Sequence, residues 1–160
     1  MSSRPEQSQR PGIDPRGPRF GAGITAILLL VDIYLGLTGL GTAALVLLTV
    51  IALVFAWGAF AGVQRHPYGA IFKRLVRPRL TAPRELEDPV PPTFAQGVGL
   101  VITGVGVILG LAGLPAAVVI TAILAFVAAF LNSVFGYCLG CQFYLLLVRA
   151  RIIRRNATPA

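Results

Sequence analysis

The stretch FGAGITAILLLVDIYLGLTGLGTAALVLLTVIALVFAWGAFAGV, residues 20–63, carries a single charged side chain, Asp32. About 20 apolar residues in a helix cross about 30 Å of hydrocarbon, so this stretch is long enough to cross twice. Its middle reads Leu37-Thr38-Gly39-Leu40-Gly41-Thr42, a glycine-rich break. That predicts one span at about 20–39 and a second at about 42–63. A second apolar block, residues 94–148, breaks at Gly113-Leu114-Pro115. Glycine suits a helix end and proline the first turn of the next helix, so spans are expected at about 94–113 and 115–148. The last is longer than a bilayer requires and must tilt or extend past it. Strands are excluded, because open strands leave backbone groups unpaired in lipid and closed barrels need polar–apolar alternation. The expected fold is all-α: a polytopic membrane protein with four transmembrane helices arranged as two helical hairpins.

Composition agrees. Hydrophobic residues make up 56% of the 160 and charged residues 12%, about half the charged share of a soluble domain. The net charge of +8 is distributed in three blocks. These are Arg4 to Arg19, then Arg65 to Arg84 with Lys73, Arg74, Arg77 and Arg79 between, then Arg149 to Arg155. Cations that flank apolar runs do not form a groove for nucleic acid, so no nucleic-acid partner is expected. The turns near Gly39 and Gly113 hold no charge, and the positive-inside rule then puts both tails and the 64–93 loop in the cytoplasm. Residues 1–19 lack the cationic start and apolar run of a cleavable signal peptide and are expected to be a disordered cytoplasmic tail. Residues 149–160 form a basic cytoplasmic tail.

The hairpins at 20–63 and 94–148 also match each other. Leu35-Gly36-Leu37-Thr38-Gly39-Leu40 aligns with Leu109-Gly110-Leu111-Ala112-Gly113-Leu114, and the same offset pairs Gly62 with Gly136. A repeat of this kind is parallel, about an axis along the membrane normal. Within the loop, Tyr68, Ile71, Phe72, Leu75 and Val76 share one helical face after Pro67. Lys73, Arg74 and Arg77 lie beside or opposite, which predicts an interfacial helix whose cations meet lipid headgroups. A proline-rich, non-helical connector follows, and Thr93 with Gln96 fits a capping box opening the third span.

Three features could carry chemistry. Cys138-Leu139-Gly140-Cys141 sits near the cytoplasmic end of the fourth span, its thiols three residues apart and on one helical face. Such a pair could be redox-active, carry sulfur, or simply pack between helices. Near a helix C-terminus the dipole disfavours thiolate, an objection that weakens if Gly136 and Gly140 break the helix. A permanent disulfide is disfavoured in the cytoplasm. His66 maps onto Gly140 under the repeat, but one chain offers at most three soft ligands, so no metal site and no cofactor are expected. Asp32, inside the first span, is either a proton or ion relay or a hydrogen-bonded brace, with Tyr34, Thr38 and Asn132 as candidate partners. Glycines spaced four apart at 58/62, 106/110 and 136/140 allow close packing within the bundle or in a homo-oligomer. No phosphate loop, Ser–His–Asp grouping or histidine cluster is present, which points away from a recognisable enzyme class.

Together, His66-Pro67-Tyr68 through Arg77-Pro78-Arg79-Leu80, Glu87-Asp88-Pro89, Phe94-Ala95-Gln96 and the Cys-x-Gly-Cys motif resemble a bacterial family of small four-helix membrane proteins of unknown function, over residues 14–153. The resemblance implies the bacterial inner membrane, the same topology and no established activity. It also implies a thioredoxin-like or sulfurtransferase protein as partner. The leading expectation is a thiol- or sulfur-linked membrane partner using Cys138 and Cys141. The alternatives are a small transporter or channel-like oligomer built on Asp32, and a membrane thiol redox enzyme.

Overall fold

A computed structural model describes residues 12–83 and 85–153. Most of the expected N-terminal tail, Arg84 and the end of the basic C-terminal tail lie outside them. Four helices are long and apolar enough to cross a membrane: α1 (Arg16–Leu37), α2 (Gly41–Ala61), α4 (Val90–Leu111) and α5 (Pro115–Phe135). Between α2 and α4 lies the short α3 (Pro67–Ile71). After α5 comes an eleven-residue helix, α6 (Leu139–Arg149). Exposed apolar side chains such as Ile27, Leu53, Phe60, Ile108 and Leu124 cover the outside of the bundle, the arrangement lipid favours and water opposes.

The two turns that close the hairpins are alike. Gly39 and Gly113 take φ of 85° and 89°, a region open to glycine at little cost. The amides of Leu40 and Leu114 then reach back to the carbonyls of Leu35 and Leu109, each at 3.0 Å, a glycine-ended closure that satisfies helix-end carbonyls.

Contacts between the hairpins recur at the offset that relates Leu35 to Leu109. Gly36 of α1 lies against Val119 of α5, and the equivalent Gly110 of α4 lies against the equivalent Leu45 of α2. Buried positions recur too: Leu29 with Thr103, Asp32 with Gly106, Ala44 with Val118, Leu48 with Ala122, and Ile51 with Ala125. Each half continues in the same way. Positive-φ glycines end α2 and α5 at Gly62 and Gly136. A short helix then folds back, α3 onto α1 and α6 onto α4.

Several boundaries differ from expectation. Helix α1 starts at Arg16 rather than residue 20 because Asp14 organises its first turn. The Asp14 carboxylate accepts from the Arg16 amide at 3.0 Å and pairs with its guanidinium at 2.8 Å. The same guanidinium donates to the Thr81 carbonyl, and Ile13 and Glu87 exchange two backbone hydrogen bonds of 2.9 Å. The start of the chain is thereby tied to the connector. Helix α4 starts at Val90, with Pro91 and Pro92 in its first turn, which proline tolerates. Thr93 therefore makes no capping box. Its hydroxyl donates to the Pro89 carbonyl and accepts from the Val63 amide.

The interfacial segment does not keep one apolar face. After α3 it widens into a π turn, Phe72–Val76, and tightens into a 3-10 turn, Arg77–Arg79. That change of pitch separates residues a regular helix would align. Phe72 is buried against Phe20 and Gly17, and Tyr68 packs on Gly21, while Ile71 and Leu75 face outward. Lys73, Arg74 and Arg77 are exposed.

The largest difference is in the fourth span, which ends at Phe135 instead of running to residue 148. Gly136 adopts φ 66° and ψ 17°, and the Tyr137 amide wraps back to the Leu131 carbonyl. The excess length thus forms a separate helix rather than a tilted span.

Candidate functional site

The break at Gly136 moves the cysteines from a helix C-terminus to an N-terminus. Cys138 is the N-cap of α6, with extended backbone, and its Sγ accepts the Cys141 amide at 3.2 Å. The two residues form a disulfide, with Cα atoms 5.2 Å apart. The dipole argument against a thiolate is therefore overturned: an N-terminal thiol sees the positive end of α6 and a backbone donor. The Arg19 guanidinium lies directly over Gly136, where a Cβ would collide with it. It adds positive charge beside the pair. Helix α6 is held by Gly140 against Ala95 and by Tyr144, buried beside Phe94.

The pair borders a cavity of about 1040 Å³ at the end of the bundle where the loop and termini gather. Its mouth carries Asp14, Arg19, Lys73, Arg77 and Glu87, and its depth is lined by Thr25, Phe55, Gly99, Ile102, Leu124 and Ala128. Small residues Gly21, Ala22, Ala95 and Gly99 also line it, with Tyr68 packed on Gly21 and Phe55 on Gly99. From the level of Gly17 to that of Leu124, which the contacts of Gly23 with Ser133 and Gly36 with Val119 put beside residue 32 of α1, the cavity runs about 22 Å at 1.5 Å per residue.

His66, the N-cap of α3, lines the same cavity and is 6% exposed. Its Nδ1 accepts the Tyr68 amide at 3.3 Å. The proton of the neutral ring must then sit on Nε2. Nε2 is buried without a hydrogen-bond partner. The Val54 carbonyl attracts it without reaching hydrogen-bonding geometry, and burial holds the imidazole below its ordinary value, in the neutral form. Burial also pushes the Tyr68 hydroxyl up, with Thr25 partly offsetting it. The His66 ring and Gln96 both crowd Gly58, where no Cβ would fit.

Asn132 lines the cavity one turn above Gly136. It does not partner Asp32. Gly23 faces Ser133 across the α1–α5 contact, so Asn132 is level with residue 24, about 12 Å from Asp32 along the axis. Thr38 donates to the Tyr34 carbonyl instead, and Tyr34 faces outward. Asp32 is fully buried against the Leu48 backbone, and neither carboxylate oxygen has a hydrogen-bond partner. By the same register its level is that of Leu124, which lines the cavity, but its carboxylate oxygens are buried. Of the paired glycines, Gly58 packs on Gln96, Gly106 on Thr121, Gly110 on Val118, Gly136 on Arg19 and Gly140 on Ala95, while a Cβ on Gly62 would meet nothing within 4 Å. Among the described residues no group of three or more His, Cys, Asp or Glu converges as a metal site.

These features lie within a stretch that matches one family model from residue 13 to residue 149, described as a domain of unknown function, DUF4395. The chain belongs to the DUF4395 family. No curated protein and no solved structure matches it. The family match covers both hairpins, the loop and the Cys pair of this DUF4395 chain, and it assigns no activity to them. Sequence reasoning found Cys138, Cys141, His66 and Asp32 but missed Arg19, Gln96 and Tyr68 as their neighbours. Only the pairing of α1 with α5 and of α2 with α4 brings those together. The offset of the repeat contained part of that signal, since it aligns His66 with Gly140.

Proposed function

We propose that this DUF4395 protein is a bacterial inner-membrane thiol–disulfide exchange protein, with the tails and cavity mouth facing the cytoplasm. The observation that carries the reading is the Cys138–Cys141 disulfide at the N-terminus of α6, beside Arg19 and open to the cavity. A thiolate of a partner dithiol, of the thioredoxin-like class, attacks one sulfur of the pair. The Cys138–Cys141 bond breaks and a mixed disulfide forms. The partner's second thiol then attacks the mixed disulfide, and the partner leaves oxidised while the pair remains as two thiols. Two electrons pass to the protein. The leaving thiolate at Cys138 is stabilised by the Cys141 amide and the helix dipole. The exposed cations of Lys73, Arg74 and Arg77 contact anionic headgroups and keep the mouth at the membrane surface.

Thiol trapping in intact cells tests this. The pair should move between reduced and oxidised forms when cells are treated with a permeant reductant and then released. Cys138→Ser and Cys141→Ser should trap a partner on the remaining cysteine. A pair that never changes state, and variants that trap nothing, would refute it.

A second reading is favoured by one observation, the two unpartnered oxygens of buried Asp32. In it Asp32 relays protons or cations between the cavity and the turn at Gly39. Asp32→Asn in proteoliposomes should abolish any flux the wild type supports, and unchanged flux would remove the reading.

A further inference from the structure

A separate groove of about 1090 Å³ opens on the flank of the bundle, where the end of α2 meets the start of α4 and the side of α6. Comparing the two halves shows why side chains leave it open. At the offset that relates Leu35 to Leu109, Gly62 corresponds to Gly136 and Gly97 to Gly23. The Arg19 guanidinium covers Gly136, and Ser133 covers Gly23. The counterparts of those two covering residues are Thr93 and Ala59, both shorter. Thr93 is moreover engaged with the Pro89 carbonyl and the Val63 amide. A Cβ on Gly62 or Gly97 would therefore meet nothing within 4 Å, and both glycines border the groove.

The walls are Val90, Phe94, Val98, Val101, Ile102 and Phe143. From Val90 to Ile102 the groove follows α4 for about 18 Å at 1.5 Å per residue. That is one leaflet, half of about 30 Å of hydrocarbon, with a little of the headgroup layer. Charge is confined to the outer end. Arg65 is the one charged residue on the lining among the described residues, and it is exposed. Lys73 reaches the neighbouring Gln64 carbonyl at 3.5 Å. We propose that the groove holds one acyl chain of an anionic phospholipid, its headgroup phosphate at Arg65 and Lys73. A partner helix fits less well, because it would cross the whole bilayer while the groove stops at mid-depth. The site stands apart from the Cys138–Cys141 cavity and does not depend on its chemistry.

The test titrates the full-length protein in detergent with phosphatidylglycerol or with phosphatidylcholine of the same chains, and counts bound lipid by native mass spectrometry. One phosphatidylglycerol per chain should bind first and more tightly than phosphatidylcholine. Arg65→Gln should weaken phosphatidylglycerol about fivefold, the effect of one cation at the membrane surface, and leave phosphatidylcholine nearly unchanged. Arg65→Lys should keep the preference, and so should Arg79→Gln. Gly97→Leu has room for its side chain and lies in regular helix, so it should fold with an undiminished melting midpoint and lose the first site for both lipids. Gly104→Leu, on open space of the same helix but outside the groove, should keep it. Equal affinity for the two lipids overturns the proposal, as does a first site untouched by Arg65→Gln and Gly97→Leu. Displacement of the lipid by inorganic phosphate would make the site one for a free anion, and a dimer that Gly97→Leu splits would give the groove to a second copy. Either result also overturns it.

Discussion

Replacing Gly136 by valine tests whether one left-handed residue sets the environment of the cysteines. Gly136 holds φ 66°, and a β-branched side chain there costs about 2 kcal/mol. A Cβ would also displace the Arg19 guanidinium, but that side chain is exposed and can swing aside at little further cost. The chain can escape the strain by carrying α5 on through residue 138, which removes Cys138 from the start of α6. A helix N-terminus favours an adjacent anion by about 1 kcal/mol, so the thiolate fraction should fall about fivefold. Alkylation of the reduced protein at neutral pH should slow by the same factor. The control is built into the other half. Gly62 holds φ 82° and ψ 153° with nothing near its would-be Cβ, a region more closed to side chains than that of Gly136, so Gly62→Val should lose at least as much stability in detergent unfolding and leave alkylation unchanged. The reasoning fails if both variants lose stability and Gly136→Val still alkylates at the wild-type rate.

Gly106→Ala should destabilise the bundle, because the added Cβ would meet Thr121 and Leu48. Gly104→Ala, with open space at its Cβ, should gain up to about 1 kcal/mol of helix propensity, so the two midpoints in detergent denaturation should move in opposite directions. Phe72→Ala should remove about 3 kcal/mol of buried contact with Phe20 and Gly17, freeing α3. Limited proteolysis should then cut within 64–83 faster while the spans stay protected. His66 is held neutral by burial. The unfolded chain takes up a proton near pH 6.5 that the folded ring resists, so stability should fall as pH drops through about 6.5 and level off below the folded value. Thermal melts of wild type against His66→Gln should show that slope only in the wild type.

The spans were legible because their cause is local. Residues 20–63 and 94–148 are apolar enough that backbone satisfaction in lipid leaves only helices, and glycines at 39 and 113 mark the turns. The ends were less legible. Asp14 gains its influence over α1 by pairing with Arg16 and, through it, Thr81, a contact that apolar periodicity does not encode. The break at Gly136 was the costliest to miss. Uncharged, mostly apolar text from Leu131 to Val148 reads as one helix, and glycines in such text are common. What turns Gly136 into a stop is α6 docking through Gly140 on Ala95 and Tyr144 on Phe94, a gain visible only once α4 is beside it. The partners of Asp32 were misjudged for a related reason, since α1–α5 register decides which side chains share a level.

That register also separates scaffold from chemistry. Positions that match across the two halves are structural: the turn glycines 39 and 113, the helix-ending glycines 62 and 136, and the buried pairs Ala44 with Val118 and Leu48 with Ala122. Packing imposes the same demand on both halves, and both meet it with similar residues. Five positions singled out for their chemistry do not match. Asp32 stands opposite Gly106, Cys138 opposite Gln64, Cys141 opposite Pro67, His66 opposite Gly140, and Asn132 opposite Gly58. Two halves bearing only scaffold duties would have no physical reason to differ there, because a fold that tolerates glycine at 106 and 58 needs no carboxyl or amide at their counterparts. Four of these five mismatches bring a polar or thiol side chain to the walls of one cavity, and the fifth, Asp32, is buried in the bundle at the level of Leu124. The symmetry therefore builds the container, and the departures from symmetry furnish it.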